Sequence, residues 1–474
     1  MVIWPQKYSK TTLSFFGLCA VLVFLLFRPA FTTYFFQDDW FSLLISQVHS
    51  LADLIHLFLP VEGVVYYRPL GMQVPFFISQ ALFGLNPLPL RMATFGVHLI
   101  NAWFVYRLLK KIVGGSPFAF AGAFLYATSA TQMIIFYWAA TIAFALAPLF
   151  YLQSVLNFFD KKDWRSWVWF VLGLLVNELL ITLPMLITVY SLINNKSDVK
   201  KTIKFWTAAL VYFIFRLKIA SFSTTGGYTF LTSMHQMVLN LRNYLLWAFN
   251  WPDEITNQFV SYLQLSLEFM HGFAKYVFIW TFETVFVLLC FIVVPFAWGN
   301  KHKISKPELQ LIGFGLLWFM VTLSPVLFFS QHFFSYYVPL PLIGLLILFG
   351  VLWQRIKKTT LHHYAAPLLL IICGVWYWAV VSTMQFNADI HWSIRRANRS
   401  HVLTTKLLNI YPQLPDHAVV LIPPKSDEEN RWALGESNAI KVLYNNSTLE
   451  TYFGSRVEYS VDFPDSRKQL FVIP

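Results

Sequence analysis

Residues 12–40, TLSFFGLCAVLVFLLFRPAFTTYFFQDDW, join a long apolar run to two adjacent carboxylates. The run over 12–30 has about the 20 residues that a helix needs to cross the hydrocarbon core of a bilayer. It follows two lysines in the manner of a signal peptide, but the sequence FRPAF after it is a poor cleavage site. We therefore expect a retained first membrane helix, followed directly by Asp38 and Asp39.

Further apolar runs place the chain among polytopic membrane proteins. Of the 474 residues, 57% are hydrophobic and 12% charged, whereas a typical soluble domain carries about a quarter charged residues. These figures exclude a soluble domain, a disordered chain and a collagen. The predicted fold is an all-α polytopic membrane protein with about eleven transmembrane helices at 12–30, 90–112, 117–135, 139–159, 164–177, 179–194, 202–220, 273–297, 308–329, 335–353 and 362–383.

The net charge of +12 comes mainly from basic residues in the short loops between the apolar runs. Alternate short loops are basic, as at Lys110-Lys111, Lys161-Lys162 and Lys200-Lys201. Because an excess of Lys and Arg marks cytoplasmic loops, we expect the N-terminus in the cytoplasm. An odd number of spans then places the tail outside a plasma or inner membrane. The basic charge is therefore a signal of topology among membrane lipids, and a nucleic-acid partner is excluded.

Two long external loops and a polar tail complete the predicted organisation. The first loop, 31–89, contains short amphipathic pieces with aromatic faces, which suit helices lying in the membrane interface. The second loop covers 221–272. In the tail, the run AVVLI at 418–422 ahead of two prolines predicts a strand. We expect a transmembrane domain over 1–383 and a small external α/β domain over 384–474.

The acidic pair, Asp38 and Asp39, is the strongest chemical signal. Two carboxylates among aromatic residues at a membrane surface would be partly desolvated and would repel each other, which raises a pKa toward that of a general base. The same residues precede the run WFSLLI and also fit the start of a helix. Both interpretations can hold together.

Basic side chains at the outer side are candidates for a phosphate. Arg68, in the run Tyr66-Tyr67-Arg68-Pro69-Leu70, either binds a phosphate or acid, or anchors the aromatic belt. Arg216 and Lys218 fit a lipid phosphate at their depth, although simple snorkelling of the side chains to the interface explains them as well.

Glu178 lies between two short apolar spans near the outer side. A carboxylate at that depth is costly, and intramembrane acids are candidates for function. The alternative is a short loop in which Glu178 caps the next helix.

Metal and cofactor signals are weak. The three cysteines, Cys19, Cys290 and Cys373, all fall in apolar runs, and the sequence carries no HExxH motif or nucleotide-binding glycine pattern. We predict no metal site and no required cofactor, although the acidic pair could hold Mg²⁺ or Mn²⁺.

Several short motifs follow one order along the chain. They are Asp38-Asp39, Tyr67-Arg68-Pro69-Leu70, Leu85-Asn86-Pro87, His98-Leu99-Ile100-Asn101, Trp138, Glu178 with Thr182-Leu183-Pro184, and Tyr337-Val338-Pro339. In this order and topology the chain resembles the membrane glycosyltransferases of the GT-C superfold. The closest resemblance is to the protein O-mannosyltransferases (family 39-like) and the transmembrane-TPR O-mannosyltransferases. It covers roughly residues 12–355, and the tail has no TPR repeats.

The resemblance implies a specific reaction. A hexose would pass from a polyprenyl-phosphate donor to a hydroxyl of a protein, lipid or glycan acceptor at the outer face, with inversion. Asp38 would be the general base, with Asp39 assisting or orienting the acceptor. The phosphate would bind Arg68, Arg216 and Lys218, and the site would be supported by Tyr67, Trp138 and Glu178.

Two alternatives stay open. A flippase or transporter of lipid-linked sugars would need polar residues along a path through the membrane, ideally in two related halves. An O-antigen polymerase or ligase also has long external loops, but its donor would be a diphosphate-linked glycan.

Overall fold

The computed structural model describes residues 10–114, 117–219, 229, 233–298, 304–356, 363–424, 427–464 and 466–473. Over these residues the chain is mostly helical, with one small sheet near the C-terminus. The predicted second external loop lies partly outside the described residues, which include residue 229 and its part from 233 onward.

The first half of the chain forms the helices α1 to α11. They are α1 (Lys10–Phe27), α2 (Asp38–Ile45), α3 (Asp53–His56), α4 (Val74–Phe83), α5 (Leu88–Val113), α6 (Pro117–Thr128), α7 (Met133–Tyr137), α8 (Ile142–Phe159), α9 (Asp163–Leu174), α10 (Leu183–Asn194) and α11 (Val199–Ile219). The interfacial pieces predicted in the first loop correspond to α2, α3 and α4.

The described residues of the second half form eleven more helices and three strands. They are α12 (Met234–Ala248), α13 (Leu267–Gly272), α14 (Ala274–Leu288), α15 (Val294–Trp298), α16 (Lys306–Leu327), α17 (Pro339–Ile356), α18 (Ala365–Ile390), α19 (Trp392–Ile410), β1 (Val419–Leu421), α20 (Glu428–Leu434), α21 (Asn438–Leu443), β2 (Glu450–Tyr452), α22 (Arg456–Asp462) and β3 (Leu470–Val472).

The chain is a multi-pass membrane protein. Within the described residues, six helical stretches are long and apolar enough to span a bilayer, or seven if the pair Pro117–Thr128 and Ala130–Tyr137, bent by 43°, is one span. All eleven segments predicted as spans are largely helical. The remaining predicted spans are not both long and apolar enough to be among these stretches. Helices α9 and α10 are short, and α5 and α11 carry several Lys and Arg residues. The orientation of the termini stays a prediction.

Prolines explain two interruptions in the helices. The π-helical turns Pro69–Gln73 and Leu289–Val293 each end two residues before a proline, Pro75 and Pro295. Because proline cannot donate to the carbonyl four residues earlier and its ring crowds that carbonyl, the turn widens locally. The first of these turns begins directly after Arg68.

The core of the bundle forms around α17, which is buried along almost its whole length. It packs against α16, α5 and α6. At the crossing of α16 and α17, a Cβ on Gly344 would lie 2.5 Å from the backbone nitrogen of Phe319. Small residues allow such close approach of membrane helices.

The C-terminal region is a small α/β unit, as predicted. Its three parallel strands lie in the order β2-β1-β3, with Val420 of β1 opposite Thr451 and Phe471. The predicted strand at 418–422 is confirmed as β1. α18 continues to Ile390, beyond the boundary predicted at residue 384.

Candidate active site

The acidic pair lies at the first turn of α2, where its two carboxylates have different surroundings. Asp39 is fully buried. Its Oδ1 accepts a hydrogen bond from the backbone N–H of Ala140 at 2.6 Å, and its Oδ2 accepts one from that of Phe36 at 3.2 Å. Asp38 is partly exposed, and among the described residues no side chain forms a hydrogen bond or ion pair with its carboxylate. Asp38 is thus the carboxylate that an incoming group can reach.

Arg91 is a buried cation beside the pair. Its Nη2 lies 3.8 Å from Asp39 Oδ2, and its Nη1 donates to the carbonyl of Phe136 at 3.0 Å. Arg91 Nε and Nη2 have no hydrogen-bond partner among the described residues. Sequence reasoning gave Arg91 no role, although a cation near the start of an apolar helix is costly unless it is paired.

Burial shifts the titration of both carboxylates. It raises the pKa of Asp38 to about 6, and the Arg396 guanidinium opposes this rise. Burial also raises the pKa of Asp39, against the effects of Arg91 and of the two backbone donors. The predicted direction of the shift is therefore found, but desolvation is its main cause and repulsion between the two acids contributes little.

The C-terminal region binds to the segment that carries the pair. Arg396 Nη1 donates to Gln37 Oε1 at 2.8 Å, and Arg396 Nε lies 3.2 Å from Glu429 Oε2. The guanidinium also lies over the rings of Trp392 and Trp432, 5.0 and 5.2 Å from their centroids. Arg396 therefore connects the start of α2 to two helices that come more than 350 residues later.

Gln37 has a backbone conformation that favours glycine, with φ of +52°. Its N–H donates to the carbonyl of Ala433 at 3.2 Å, and a Cβ on Gly435 would lie 2.5 Å from its carbonyl oxygen. Such a conformation costs on the order of 1–3 kcal/mol and persists only where the surroundings hold it. The contacts with the C-terminal region supply that restraint, and they fix the direction of the residue before Asp38.

A second charged group, the arginine cluster, consists of Arg68, Glu178 and Arg216. Arg68 is buried and forms a bidentate ion pair with Glu178, in which Nε donates to Oε2 at 2.8 Å and Nη2 to Oε1. Its Cζ lies 4.8 Å from the ring centroids of both Tyr66 and Phe144. Arg68 is therefore paired with Glu178, an acid 110 residues later in the chain, and its binding of a phosphate stays a prediction.

Arg216 completes the cluster near the end of α11. It donates to the carbonyl of Val65 and lies within electrostatic reach of Glu178. Tyr67 packs on Phe215, with ring centroids 5.1 Å apart. With one carboxylate and two guanidinium groups the cluster keeps one net positive charge. Lys218 is exposed, and no described residue forms a hydrogen bond or ion pair with it, so it is not part of the cluster.

An aromatic strip, made of Phe36, Trp138, Trp392, Tyr336 and Phe144, joins the two charged groups. Trp138 lies between the others, 6.1 Å from Phe36, 5.3 Å from Trp392 and 6.3 Å from Tyr336 by ring centroids. Phe144 lies 4.5 Å from Tyr336.

The two ends of the strip touch the two charged groups. Phe36 donates to Asp39 and Phe144 contacts Arg68. α2 also packs on the turn Pro69–Gln73 that follows Arg68. The acidic pair and the arginine cluster therefore belong to one continuous region.

An apolar groove of about 970 Å³ runs between α9 and α11. At one end it is bordered by Lys200, Lys201 and Lys204. Its other end, about 22 Å along α11 at 1.5 Å per residue, reaches Tyr212 and Phe215 beside the arginine cluster. The groove is a long apolar surface that ends next to a positive charge.

A further polar cluster was not singled out by the sequence. Asp253 Oδ2 accepts a hydrogen bond from Ser335 Oγ at 3.1 Å and lies 4.0 Å from His391 Nε2. Burial raises the pKa of Asp253 to about 7 and lowers that of His391 to about 3. Glu254 next to it accepts a hydrogen bond from the backbone N–H of Trp392 at 3.3 Å. The segment Asp253–Gln258 is thereby attached to the aromatic strip.

Metal ligands are not grouped in the described part of the chain. There, no set of three or more His, Cys, Asp or Glu side chains lies close enough together to hold a metal ion. The expectation of a metal-free reaction stays a prediction.

The predicted all-α, GT-C-like fold agrees with a comparison with solved structures. Two crystal structures of ArnT from Cupriavidus metallidurans are similar to this chain over nearly its whole length. The structure bound to undecaprenyl phosphate has a TM-score of 0.54 at 12% identity and covers 98% of this chain and 90% of ArnT. The apo structure has a TM-score of 0.51 at 10% identity and covers 97% and 89%.

At this level of identity the likeness establishes the fold alone. No protein-family model matches the chain, and a search of the curated proteins finds no match. The closer resemblance to the O-mannosyltransferases stays a prediction.

Proposed function

We propose that the protein is an integral membrane glycosyltransferase that moves a sugar from a polyprenyl-phosphate donor to a hydroxyl acceptor, with inversion. The observation that carries the proposal is the partly exposed Asp38, held in the same region as a net positive arginine cluster. A base and a phosphate-binding cation are the two groups that this transfer requires. The ArnT structure bound to undecaprenyl phosphate, a lipid phosphate, supports the donor class.

In the proposed reaction Asp38 acts as the general base. It takes the proton of the acceptor hydroxyl, whose oxygen forms a bond to the anomeric carbon of the sugar. The bond from that carbon to the phosphate oxygen breaks, and polyprenyl phosphate leaves with the electron pair. A pKa of about 6 keeps the Asp38 carboxylate largely ionised at neutral pH and still basic enough to accept the proton.

The arginine cluster would stabilise the leaving phosphate. Arg68 and Arg216 offer positive charge where the phosphate gains negative charge, and Glu178 holds Arg68 in place through two hydrogen bonds. The groove between α9 and α11 ends at this cluster and would accept the isoprenoid chain, whose apolar surface matches its lining. Asp39, with both oxygens engaged, would orient the start of α2.

A transfer assay tests the donor class and the type of activity. The full-length protein in proteoliposomes receives a polyprenyl-phosphate sugar labelled in the hexose, together with a membrane extract as the source of acceptors. We expect the label to move from the lipid to a more polar product while polyprenyl phosphate accumulates. Product formation from a diphosphate-linked glycan alone would favour a polymerase or ligase. Movement of intact labelled lipid across the bilayer without product would favour a flippase.

The same assay tests the metal prediction. We expect the rate to be unchanged after treatment with EDTA and dialysis, because the groups proposed to stabilise the phosphate are guanidinium groups. If EDTA abolishes the transfer and Mg²⁺ or Mn²⁺ restores it, the prediction of a metal-independent reaction is wrong. The acidic pair would then be the candidate site for the metal ion.

A further inference from the structure

A polar pocket of about 430 Å³ lies between α12 and the segment that follows it. Its volume is within the range of about 300–1,000 Å³ found for small-molecule sites. It is lined by side chains of α12 (His235, Gln236, Arg242 and Asn243), by residues 256–262 and by Phe333. None of these described lining residues is acidic.

The pocket adjoins the aromatic strip through two chain segments. Thr256 and Asn257 line it, and Glu254, two residues earlier, contacts Trp392. Phe333 lines it as well, and the next residue, Phe334, stacks on Tyr336 with ring centroids 5.1 Å apart. Short stretches of chain therefore join the lining of the pocket to the aromatic strip.

Arg242 is fixed in the lining of the pocket. Its Nε and Nη2 donate to Asn243 Oδ1 at 3.0 and 2.7 Å, and its Nη1 donates to the carbonyl of Tyr262 at 2.8 Å. Its Cζ lies 4.0 Å from the ring centroid of Phe259. No described carboxylate forms an ion pair with it, so its positive charge is available to a ligand.

The chemistry of the lining fits a sugar ring. The amides of Gln236 and Asn257 can donate and accept hydrogen bonds, as the hydroxyl groups of a sugar do, and the Asn243 amide nitrogen can donate. The rings of Phe259 and Phe333 offer apolar faces to the C–H groups of a pyranose. Without acidic side chains in the described lining, a cationic ligand is disfavoured and a neutral or acidic sugar is favoured.

We propose that this pocket binds a saccharide unit of the acceptor, so that the acceptor class is a glycan or glycolipid. The proposal rests on the proposed function, since it assigns the second substrate of the same reaction. Binding of a sugar in the pocket would direct a free hydroxyl along the aromatic strip toward Asp38.

Saturation-transfer NMR tests the pocket directly. The detergent-solubilised full-length protein is mixed with methyl pyranosides of glucose, mannose, galactose, N-acetylglucosamine and glucuronic acid. We expect transfer to at least one of them. The variant Asn257→Trp, which fills the pocket from an exposed position, should weaken that binding at least about ten-fold, the equivalent of about 1.4 kcal/mol.

Two control variants make the result specific. Leu263→Trp places the same side chain at an exposed position of the same segment outside the pocket lining, and it should bind as the wild type does. Asp38→Asn should also bind the sugar normally while it fails to transfer.

No binding by the wild type, or equal binding by Asn257→Trp, would overturn the pocket assignment. Sugar binding that persists in a protein without any transferase activity would overturn the proposed function and leave the pocket in place.

Discussion

The acidic pair and the arginine cluster differ in which group is bound by its neighbours. At the start of α2, Asp39 makes the structural contacts and Asp38 is partly exposed. In the arginine cluster, the central group, Arg68, is itself bound by its neighbours. Asp39 accepts two backbone hydrogen bonds and faces Arg91. Arg68 is bound by Glu178 on its polar edge and by two rings on its faces.

This difference fits the two roles proposed for the charged groups, a general base at the acidic pair and a phosphate-binding cation at the arginine cluster. A base must move a proton, and it therefore needs a carboxylate that no other side chain occupies. A phosphate-binding cation acts by its charge and position alone, so it can be held rigidly while it acts. The following predictions test this contrast.

The largest effect should follow from Asp38→Asn. We expect transfer to fall by about 10²–10⁴-fold, the contribution of a general base, with an unchanged midpoint of thermal unfolding. Asp39→Asn is the matched comparison. It weakens the partner of the buried Arg91, so activity and thermal stability should both fall. An Asp38→Asn variant that transfers the sugar at the wild-type rate would show that Asp38 is not the general base.

The second effect concerns the ion pair of Arg68 and Glu178. Glu178→Gln leaves the buried guanidinium without its counter-charge and should cost about 3 kcal/mol of stability, measured as the shift in thermal unfolding in detergent. The double variant Arg68→Met, Glu178→Gln should recover much of that stability but transfer poorly, since the phosphate loses its cation. A double variant with wild-type activity would show that the pair is only structural.

A smaller effect is expected for Arg396→Gln. Loss of this cation raises the pKa of Asp38 further above 6, so more of the base is protonated near neutral pH. The acidic limb of the pH–rate profile should move to higher pH, and Arg396→Lys should move it back. If the acidic limb of the profile stays in place and the rate is lower by the same factor at every pH, Arg396 acts only through its contact with Gln37.

The smallest effect should be that of Lys218→Ala. Because Lys218 is exposed and lies outside the arginine cluster, we expect less than about a two-fold change in the rate of transfer. Arg216→Ala in the same assay should raise the KM for the donor. Equal losses in both variants would place Lys218 at the phosphate after all.

Sequence reasoning predicted the helices well because each membrane helix carries its own local signal, about 20 apolar residues. The strand at 418–422 and the helix that begins at Asp38 carry local signals as well. The sequence indicated that Arg68 could pair with a nearby acid, but nothing local identified Glu178, 110 residues away, as its partner.

Two residues of the candidate site could not be predicted in the same way. Arg91 gave a usable signal, a cation near the start of an apolar helix, which implies a buried counter-charge. Arg396 gave none, because it lies in a polar stretch with two other arginines nearby and its contact with Gln37 spans 359 residues. Long-range contacts of this kind depend on the tertiary fold and leave no pattern in the sequence.

The conformation of Gln37 has a consequence for synthesis. Both carboxylates are synthesised more than 350 residues before Arg396, Ala433 and Gly435, which hold the residue that precedes the acidic pair. At about 5–20 residues per second, the interval is roughly 20–70 s. During that time the contacts that hold Gln37 are missing, so the acidic pair lacks this restraint. We therefore expect the proposed base to take its fixed orientation only after the C-terminal region has been synthesised and has folded.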